Sequence, residues 1–533
     1  MTVDAAGDSS SDSRVRRAAH LCVPAVAAGA TVVFVTAALH LSFDAASHPA
    51  PWTNNDSALI LFIATEMAAG ARLYVDWLDP ALPPIFFVAR AAVGLSRIGI
   101  PVVLAYDFLV LAVAAAGLTV LVRSLRGMDR AWPAVVLAAA GYLFFVLKPG
   151  AITRDFGQRE HLFALLLIPE LFAAVSPSRV GWRPAWCAAL GFLAMIKPQF
   201  AAILVLVVLT ARPLPSRAAD AKWFLAGAVA PFGLLWWHSA EAIRALFTET
   251  LSLHVSGAYA LLRWSPAALL ERGPLIVGSV VMAAIIAMAL AVREDVRLRG
   301  VAVRGAMALA WGAIAVVHQQ RYLPYHFTPL FGLAVVCGSW AAGEWLGARG
   351  RTRLAGVLAL GLVVVGGMTF HLDVASNGDP LPVRLGQAAG ADARILVASV
   401  YSHGLCTPYR MAPRCIGPES QATKLPQWAR TADGVGLIAK WAAAWQERVR
   451  AERPELLALS TSDRAMPRGL TPARLLLERF PIVPPSEYVP LSPAAEAYVR
   501  PRGWIILRRR DVEERPLRAA QRPDAQGRLF VPR

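Results

Sequence analysis

Long apolar runs recur along the first 372 residues, many of them about 17 to 25 residues in length, enough to cross a hydrocarbon core of about 30 Å. In such a medium every backbone polar group must be satisfied within the segment, so the runs are read as helices. Composition agrees: 56% of the 533 residues are hydrophobic and 17% charged, well short of the quarter usual in a soluble chain. Mean hydropathy is +0.49. A polytopic α-helical membrane protein is expected, with some spans short enough to require thinning of the bilayer or packing against neighbours.

The formal charge of +17 invites a nucleic-acid reading, but Arg and Lys in cytoplasmic loops account for it, and no nucleic-acid partner is expected. Residues 1–17 read as a disordered cytoplasmic tail, and 18–41 as an uncleaved first helix, too long for a signal-peptide core. With Arg14, Arg16 and Arg17 inside, residues 43–99 fall outside. Within that loop 82–98 opens on Pro83-Pro84 and is interrupted by Arg90 and Arg97. It reads as a helix lying in the interface, because a span there would send "RSLRGMDR" (123–130) outward.

The remaining spans are then placed near 100–122, 131–147, 161–176, 185–197, 198–211, 222–238, 273–292, 304–318, 326–346 and 354–372, about eleven in all. The membrane domain covers 18–372, and 373–533 forms a small extracytoplasmic α/β domain. In that tail 393–400, 455–461 and 503–510 read as buried strands, and 434–451 has helical periodicity. Cys22, Cys187 and Cys337 sit in apolar runs as small hydrophobes, whereas Cys406 and Cys415 can pair if the tail is outside the cytoplasm.

This topology gathers unusual polar residues on one face. The first loop carries Asp56 at the head of a short amphipathic helix, then Glu66, Arg72, Tyr74, Asp76 and Asp79. "TRDFGQREH" supplies Arg154, Asp155, Glu160 and His161. "MIKPQF" puts Lys197 and Gln199 within an apolar hairpin, and "VHQQRYLPYHFTP" brings His318, Gln320, Arg321, Tyr325 and His326. Ionisable groups at such positions are costly and are candidates for function. A carboxylate such as Asp56 can take the proton from an acceptor hydroxyl. Lys197, Arg154 and Arg321 can offset charge on a departing lipid phosphate. The set suits sugar transfer from a polyprenyl-phosphate donor by single displacement with inversion.

Each residue has a plainer role available. Asp56 can cap its helix, Asp76 and Asp79 can belong to a turn, and Arg154 with Glu160 can be a structural ion pair. Lys197 can snorkel to the interface, while Tyr325, His326 and the Trp236-Trp237-His238 cluster can sit in an aromatic belt.

The one-span start, the Asp heading a loop helix, Gly70-x-x-x-Tyr74-x-Asp76, the Pro-Pro pair and Lys197-Pro198 together resemble the GT-C membrane glycosyltransferases. The nearest group is the one holding protein O-mannosyltransferases and lipid A aminoarabinose transferases. The resemblance covers roughly 14–372. It implies that Asp56 is the first-loop catalytic acid, that Glu160 or Asp155 is the second-loop acid, and that Lys197 binds the donor phosphate. The remaining polar residues, Arg154, Gln199, Tyr74, Asp76, Gln320, Arg321, Tyr325 and His326, are candidates for substrate binding. Expected partners are a polyprenyl-phosphate sugar, membrane lipid, and a glycan, glycolipid or protein acceptor. No cofactor is required, although the same acids can hold a divalent cation. Two other readings compete: a component of surface-polysaccharide assembly, which shares this topology, and a transporter of lipid-linked sugars, for which few charges fall within the apolar runs.

Overall fold

The computed structural model describes residues 55–77, 79, 81–128, 130–148, 156–174, 176, 182–197, 202, 214–251, 275–319, 324–375, 394–398, 414–418, 432–460, 477–478, 481–482, 486–493 and 504–512. The expected first span at 18–41 and nearly all of the expected span at 198–211 lie outside these residues.

The described residues are largely helical from the first loop to residue 375. α1 is Asn55–Ala68, α2 Pro83–Ser96, α3 Val102–Gly127, α4 Trp132–Leu147, α5 Arg159–Ala173 and α6 Arg183–Ala194. α7 is Leu214–His238 and α8 Ala240–Ala245, followed by the π-helical turn Leu246–Thr250. α9 is Leu275–Glu294, α10 Arg299–Gln319, α11 Thr328–Ala348 and α12 Thr352–Ala375, with 3-10 turns at Val296–Leu298 and Pro324–Phe327. Several begin with Pro in the first turn, where its missing N–H would have no partner anyway: α2, α4, α6 and α11.

Among the described residues, four helical segments are long and apolar enough to cross a membrane: Val102–Gly127, Arg299–Val316, Thr328–Ala348 and Thr352–Thr369. α4, α5 and α6 have 16, 15 and 12 residues, shorter than a straight span needs. Apolar side chains face outward on several helices. Val229 and Trp237 on α7 are 64% and 88% exposed, and Val357 and Leu360 on α12 are 67% and 65% exposed. Faces this greasy are suited to lipid.

The helices between Pro83 and Ala375 form one compact unit, apart from the segment around Ala245 to Leu251. α11 is its hub, packing on α4, α5 and α9, while α12 covers α4 and α5 lies on α3. α5 is buried around its whole circumference from Glu160 to Ala173, as a central helix must be. α6 and α7 cross with backbones nearly touching. A methyl added at Gly191 would lie 1.9 Å from Phe224 O, and one at Gly227 1.9 Å from Ala188 O. Small residues at such a crossing let dispersion contacts replace the missing hydrophobic drive.

The second unit holds α1 with its following turn, the π-helical turn and the tail. The expected amphipathic character of α1 is corrected here: Leu59 through Ala64 are all buried in succession, so the helix presents no polar stripe there. In the tail, β1 (Arg394–Ala398), β2 (Arg414–Pro418), α13 (Ala432–Glu452), β3 (Leu456–Ser460), β4 (Tyr488–Pro490) and β5 (Trp504–Arg509) form an α/β arrangement. The sheet order is β2-β1-β3-β5-β4. β1 pairs in parallel with β2 and β3, whereas β5 runs antiparallel to both β3 and β4. β3 lies at the sheet's centre and buries Leu456, Leu457, Ala458 and Leu459 in succession, as expected of a strand covered on both faces. β1, β3, β5 and α13 fall on the segments expected from sequence, while β2 and β4 were not expected.

Candidate active site

The N-terminus of α5 organises the polar residues of the helical unit. Gln158 is the N-cap, so Glu160 and His161 occupy the second and third helical positions. Gly157 precedes them at φ +73°, and a Cβ there would lie 2.9 Å from the Tyr106 ring, so a side chain would be both strained and crowded. Tyr106 on α3 donates its hydroxyl to Gly157 O at 2.6 Å. Gly157 N–H donates to His161 Nδ1 at 3.0 Å. That reach from the third helical position back to the residue before the cap serves the purpose of a capping box, with imidazole in place of carboxylate. The bond also fixes the tautomer of a neutral ring, leaving any proton on Nε2. Phe145 and Phe156 flank the ring at centroid distances of 5.3 and 5.5 Å.

On this anchored turn Glu160 is fully buried and Lys197 forms an ion pair with its Oε1. Lys197 follows the end of α6, and its side chain is 13% exposed. His326, in the turn leading into α11, places Nε2 3.9 Å from the same carboxylate oxygen and is itself buried. Three separate stretches of sequence therefore converge on one carboxylate. On these same stretches, Glu160 Oε2, His161 Nε2 and the buried Thr328 hydroxyl on α11 have no hydrogen-bond partner among the described residues. Buried groups of this kind are expected to be satisfied, so the local polarity exceeds what the described side chains use.

The opposite end of α5 holds a different cluster. Arg183 at the start of α6 makes a bidentate pair with the fully buried Glu170, at 2.5 and 2.6 Å, and also reaches Asp220 on α7 at 2.9 Å. Trp186 Nε1 donates to Glu170 Oε2 at 2.9 Å. With its oxygens satisfied from two residues, Glu170 acts as a tie between α5 and α6. On α2, Arg90 finds a partner as well, donating to His238 Nδ1 at the end of α7 at 3.1 Å.

The first-loop residues belong to the second unit. Asp56 lies in the first turn of α1, one residue inside the helix start. α1 ends in a Schellman motif: Ala71 N–H bonds Glu66 O at 2.9 Å and Gly70 N–H bonds Met67 O at 3.2 Å, with Gly70 at φ +107°. The chain then forms a tight turn in which Tyr74 takes φ +66° and donates its N–H to Trp77 O at 2.9 Å. Asp76 is gripped by Arg72 through its backbone N–H (2.7 Å), Nε (3.2 Å) and Nη2 (2.9 Å). Trp77 meets Phe62 of α1 edge to face at 5.1 Å. Asp76, expected as a turn residue, thus lies in a turn, and Gly70, Tyr74 and Asp76 all have conformational work there. Burial, with the Asp79 carboxylate nearby, pushes the Tyr74 phenol well above its ordinary pKa, so it remains a neutral hydroxyl.

Of the other expected residues, Arg154, Asp155, Gln199, Gln320 and Arg321 lie outside the described residues, as do the side chains of Asp56 and Tyr325. The same holds for the Cys406 end of the expected Cys406–Cys415 pair, whereas Cys187 and Cys337 are buried free thiols. Sequence reasoning named His161 among the unusual polar residues without its bond to Gly157 N–H, and gave no role to Gly157 or Thr328; the Gly-x-x-x-His spacing just before an apolar run was the available signal. Among the described residues no three His, Cys, Asp or Glu side chains converge as a metal ion would need.

No protein-family model and no curated protein matches the chain. Solved structures do. The crystal structure of ArnT from Cupriavidus metallidurans bound to undecaprenyl phosphate matches over 91% of this chain and 97% of that one, with a TM-score of 0.52 and 14% identity. The apo form of the same protein matches over 92% and 98%, with a TM-score of 0.50 and 13% identity. The likeness is one of fold, and it extends over the helices and the tail together. ArnT is a lipid A aminoarabinose transferase of the GT-C class, so the resemblance read from the short motifs is present in the architecture.

Proposed function

We propose that the chain is an inverting glycosyltransferase that moves a sugar from a polyprenyl-phosphate donor to an acceptor at the outer face of the cytoplasmic membrane. The observation that carries this reading is the convergence of Lys197, Glu160 and His326 at the head of the central helix of a GT-C-like bundle. An ammonium beside a buried carboxylate, at the edge of an apolar bundle, suits the phosphate of a lipid whose tail lies among the helices. That the matching ArnT structure is bound to undecaprenyl phosphate supports a donor of this class.

In this mechanism the Asp56 carboxylate accepts the proton of the acceptor hydroxyl as its oxygen attacks the anomeric carbon. The bond from that carbon to the phosphate oxygen breaks, the configuration inverts, and polyprenyl phosphate leaves with one more negative charge. Lys197, with Arg154 and Arg321, offsets that charge, while His326, Tyr325, Gln199 and Gln320 bind donor or sugar. Tyr74 and Asp76 shape the first-loop turn and take part in substrate binding. Positive loops then face the cytoplasm together with the N-terminus, and the tail lies outside, where it helps hold the acceptor.

The deciding experiment is transfer of radiolabelled sugar in membranes charged with polyprenyl-phosphate mannose, arabinose or aminoarabinose, comparing wild type with Asp56→Asn. Labelled product that vanishes in the variant supports the reading and names the donor. No transfer from any of them, or full transfer by a correctly inserted variant, overturns it.

A further inference from the structure

Building on that donor reading, we propose that Glu160 is a positioning residue that holds Lys197 while the site is empty and is displaced from it by the incoming phosphate. Glu160 thereby serves as a resident stand-in for the donor's anion, and the second-loop acid has no proton to move.

Three features of the site support the exchange. Glu160 is bonded through one oxygen only: Oε1 takes the Lys197 ammonium, while the buried Oε2 has no partner among the described residues. A half-satisfied buried carboxylate is a weaker competitor for its cation than a fully bonded one such as Glu170, whose oxygens are met by both Arg183 and Trp186. The released carboxylate is not stranded, because it stands at the second position of α5, where free peptide N–H groups and the helix dipole favour an anion. His326 Nε2, 3.9 Å away, offers it a further contact after a small rotation.

The accessibility of the two partners sets the direction of approach. Glu160 is fully buried while the Lys197 side chain is 13% exposed, so an anion arriving from outside meets the ammonium first and the carboxylate lies behind it.

The exchange also has a kinetic meaning. A polyprenyl-phosphate sugar is a diester with one negative charge, and the departing polyprenyl phosphate carries up to two. Competition from Glu160 therefore weakens the hold on donor and product alike, and keeps the more highly charged product from remaining bound.

The test is titration of the purified full-length protein with undecaprenyl phosphate, comparing wild type, Glu160→Gln, Glu160→Asp and Lys197→Met. Glu160→Gln should bind roughly tenfold tighter than wild type, since it removes the competing carboxylate charge and keeps the ammonium. Glu160→Asp, with a carboxylate one methylene too short, should fall between them, and Lys197→Met should bind least. If Glu160→Gln does not fold, the Glu160→Asp comparison decides. Equal or weaker binding by the Glu160 variants overturns the exchange and leaves the donor reading standing. Failure of the wild type itself to bind undecaprenyl phosphate overturns the donor reading.

Discussion

Lys197 and Glu160, 37 residues apart in the chain, form one ion pair in which the carboxylate is fully buried and the ammonium keeps 13% of its side chain exposed. Removing one partner of a buried pair leaves an uncompensated charge, which costs about 3 to 5 kcal/mol. Lys197→Met should therefore lower the thermal unfolding midpoint clearly, and Lys197→Met with Glu160→Gln should recover most of the loss. Transfer should stay absent in the double variant, because the cation for the phosphate is still missing. Unfolding followed by intrinsic fluorescence, beside the transfer assay, separates the two effects.

Asp56 stands in the first turn of α1. As general base its loss should lower turnover by about 10² to 10⁴. Asp56→Asn keeps the size and polarity of the side chain, so insertion and undecaprenyl phosphate binding should be unchanged. A fall in binding that matched the fall in turnover would assign Asp56 to the donor instead.

The Tyr106–Gly157–His161 chain fixes the turn that carries Glu160. Tyr106→Phe removes one buried hydrogen bond and should destabilise by about 1 kcal/mol. Gly157→Ala should do more damage, because it combines a left-handed backbone with a methyl 2.9 Å from the Tyr106 ring. Ranking the unfolding midpoints of wild type, Tyr106→Phe and Gly157→Ala, in falling order, checks this.

Arg183 is the only cation bonded to Glu170 among the described residues. Arg183→Met should cost about 3 to 5 kcal/mol for the same reason as at Lys197. Arg183→Lys should rescue only part of that, since an ammonium cannot make the two parallel bonds of a guanidinium while also reaching Asp220. Expression level and detergent stability of the two variants would report the difference.

Tyr488 donates its hydroxyl to Pro454 O at 2.8 Å, and burial raises its pKa to about 12. A phenol whose folded pKa exceeds the unfolded value of about 10 contributes stability that is full below pH 10 and is lost as pH rises toward 12. The tail should therefore loosen across that window, and Tyr488→Phe should remove this part of the alkaline loss. Phenolate absorbance followed between pH 9 and 12 should show a late-titrating tyrosine that the variant lacks.

The helices were legible because lipid-facing and core-facing segments alike are written as apolar runs. α4 at Trp132–Leu147 and α12 at Thr352–Ala375 fall almost where the runs placed them. β3 announced itself as "LLALS", but β2 reads "RCIGP", with Gly and Pro in a strand that only its parallel partner β1 explains. β4, three residues long, carries no periodicity at all. In the site, single residues were visible as costly charges in greasy surroundings, whereas their pairing was not. Glu160 had been set beside Arg154, its near neighbour in sequence, and the structure joins it to Lys197 through the packing of α5 against α6. Asp76 was legible as a turn residue, but the Arg72 grip that makes the turn depends on a backbone reversal at Tyr74 that no propensity predicts.

The second unit brings α1, which ends at Ala68, together with a sheet whose first strand begins at Arg394. A ribosome adding about 5 to 20 residues per second takes on the order of tens of seconds to cover that interval. Through all of it the unbroken apolar stretch Leu59–Ala64 has been made and its own unit has not. Assembly of this part of the molecule is therefore gated by the end of synthesis. A chain that stops before Arg394 leaves α1 without the strands that complete its unit, and such truncated products should be cleared by proteolysis faster than the full chain.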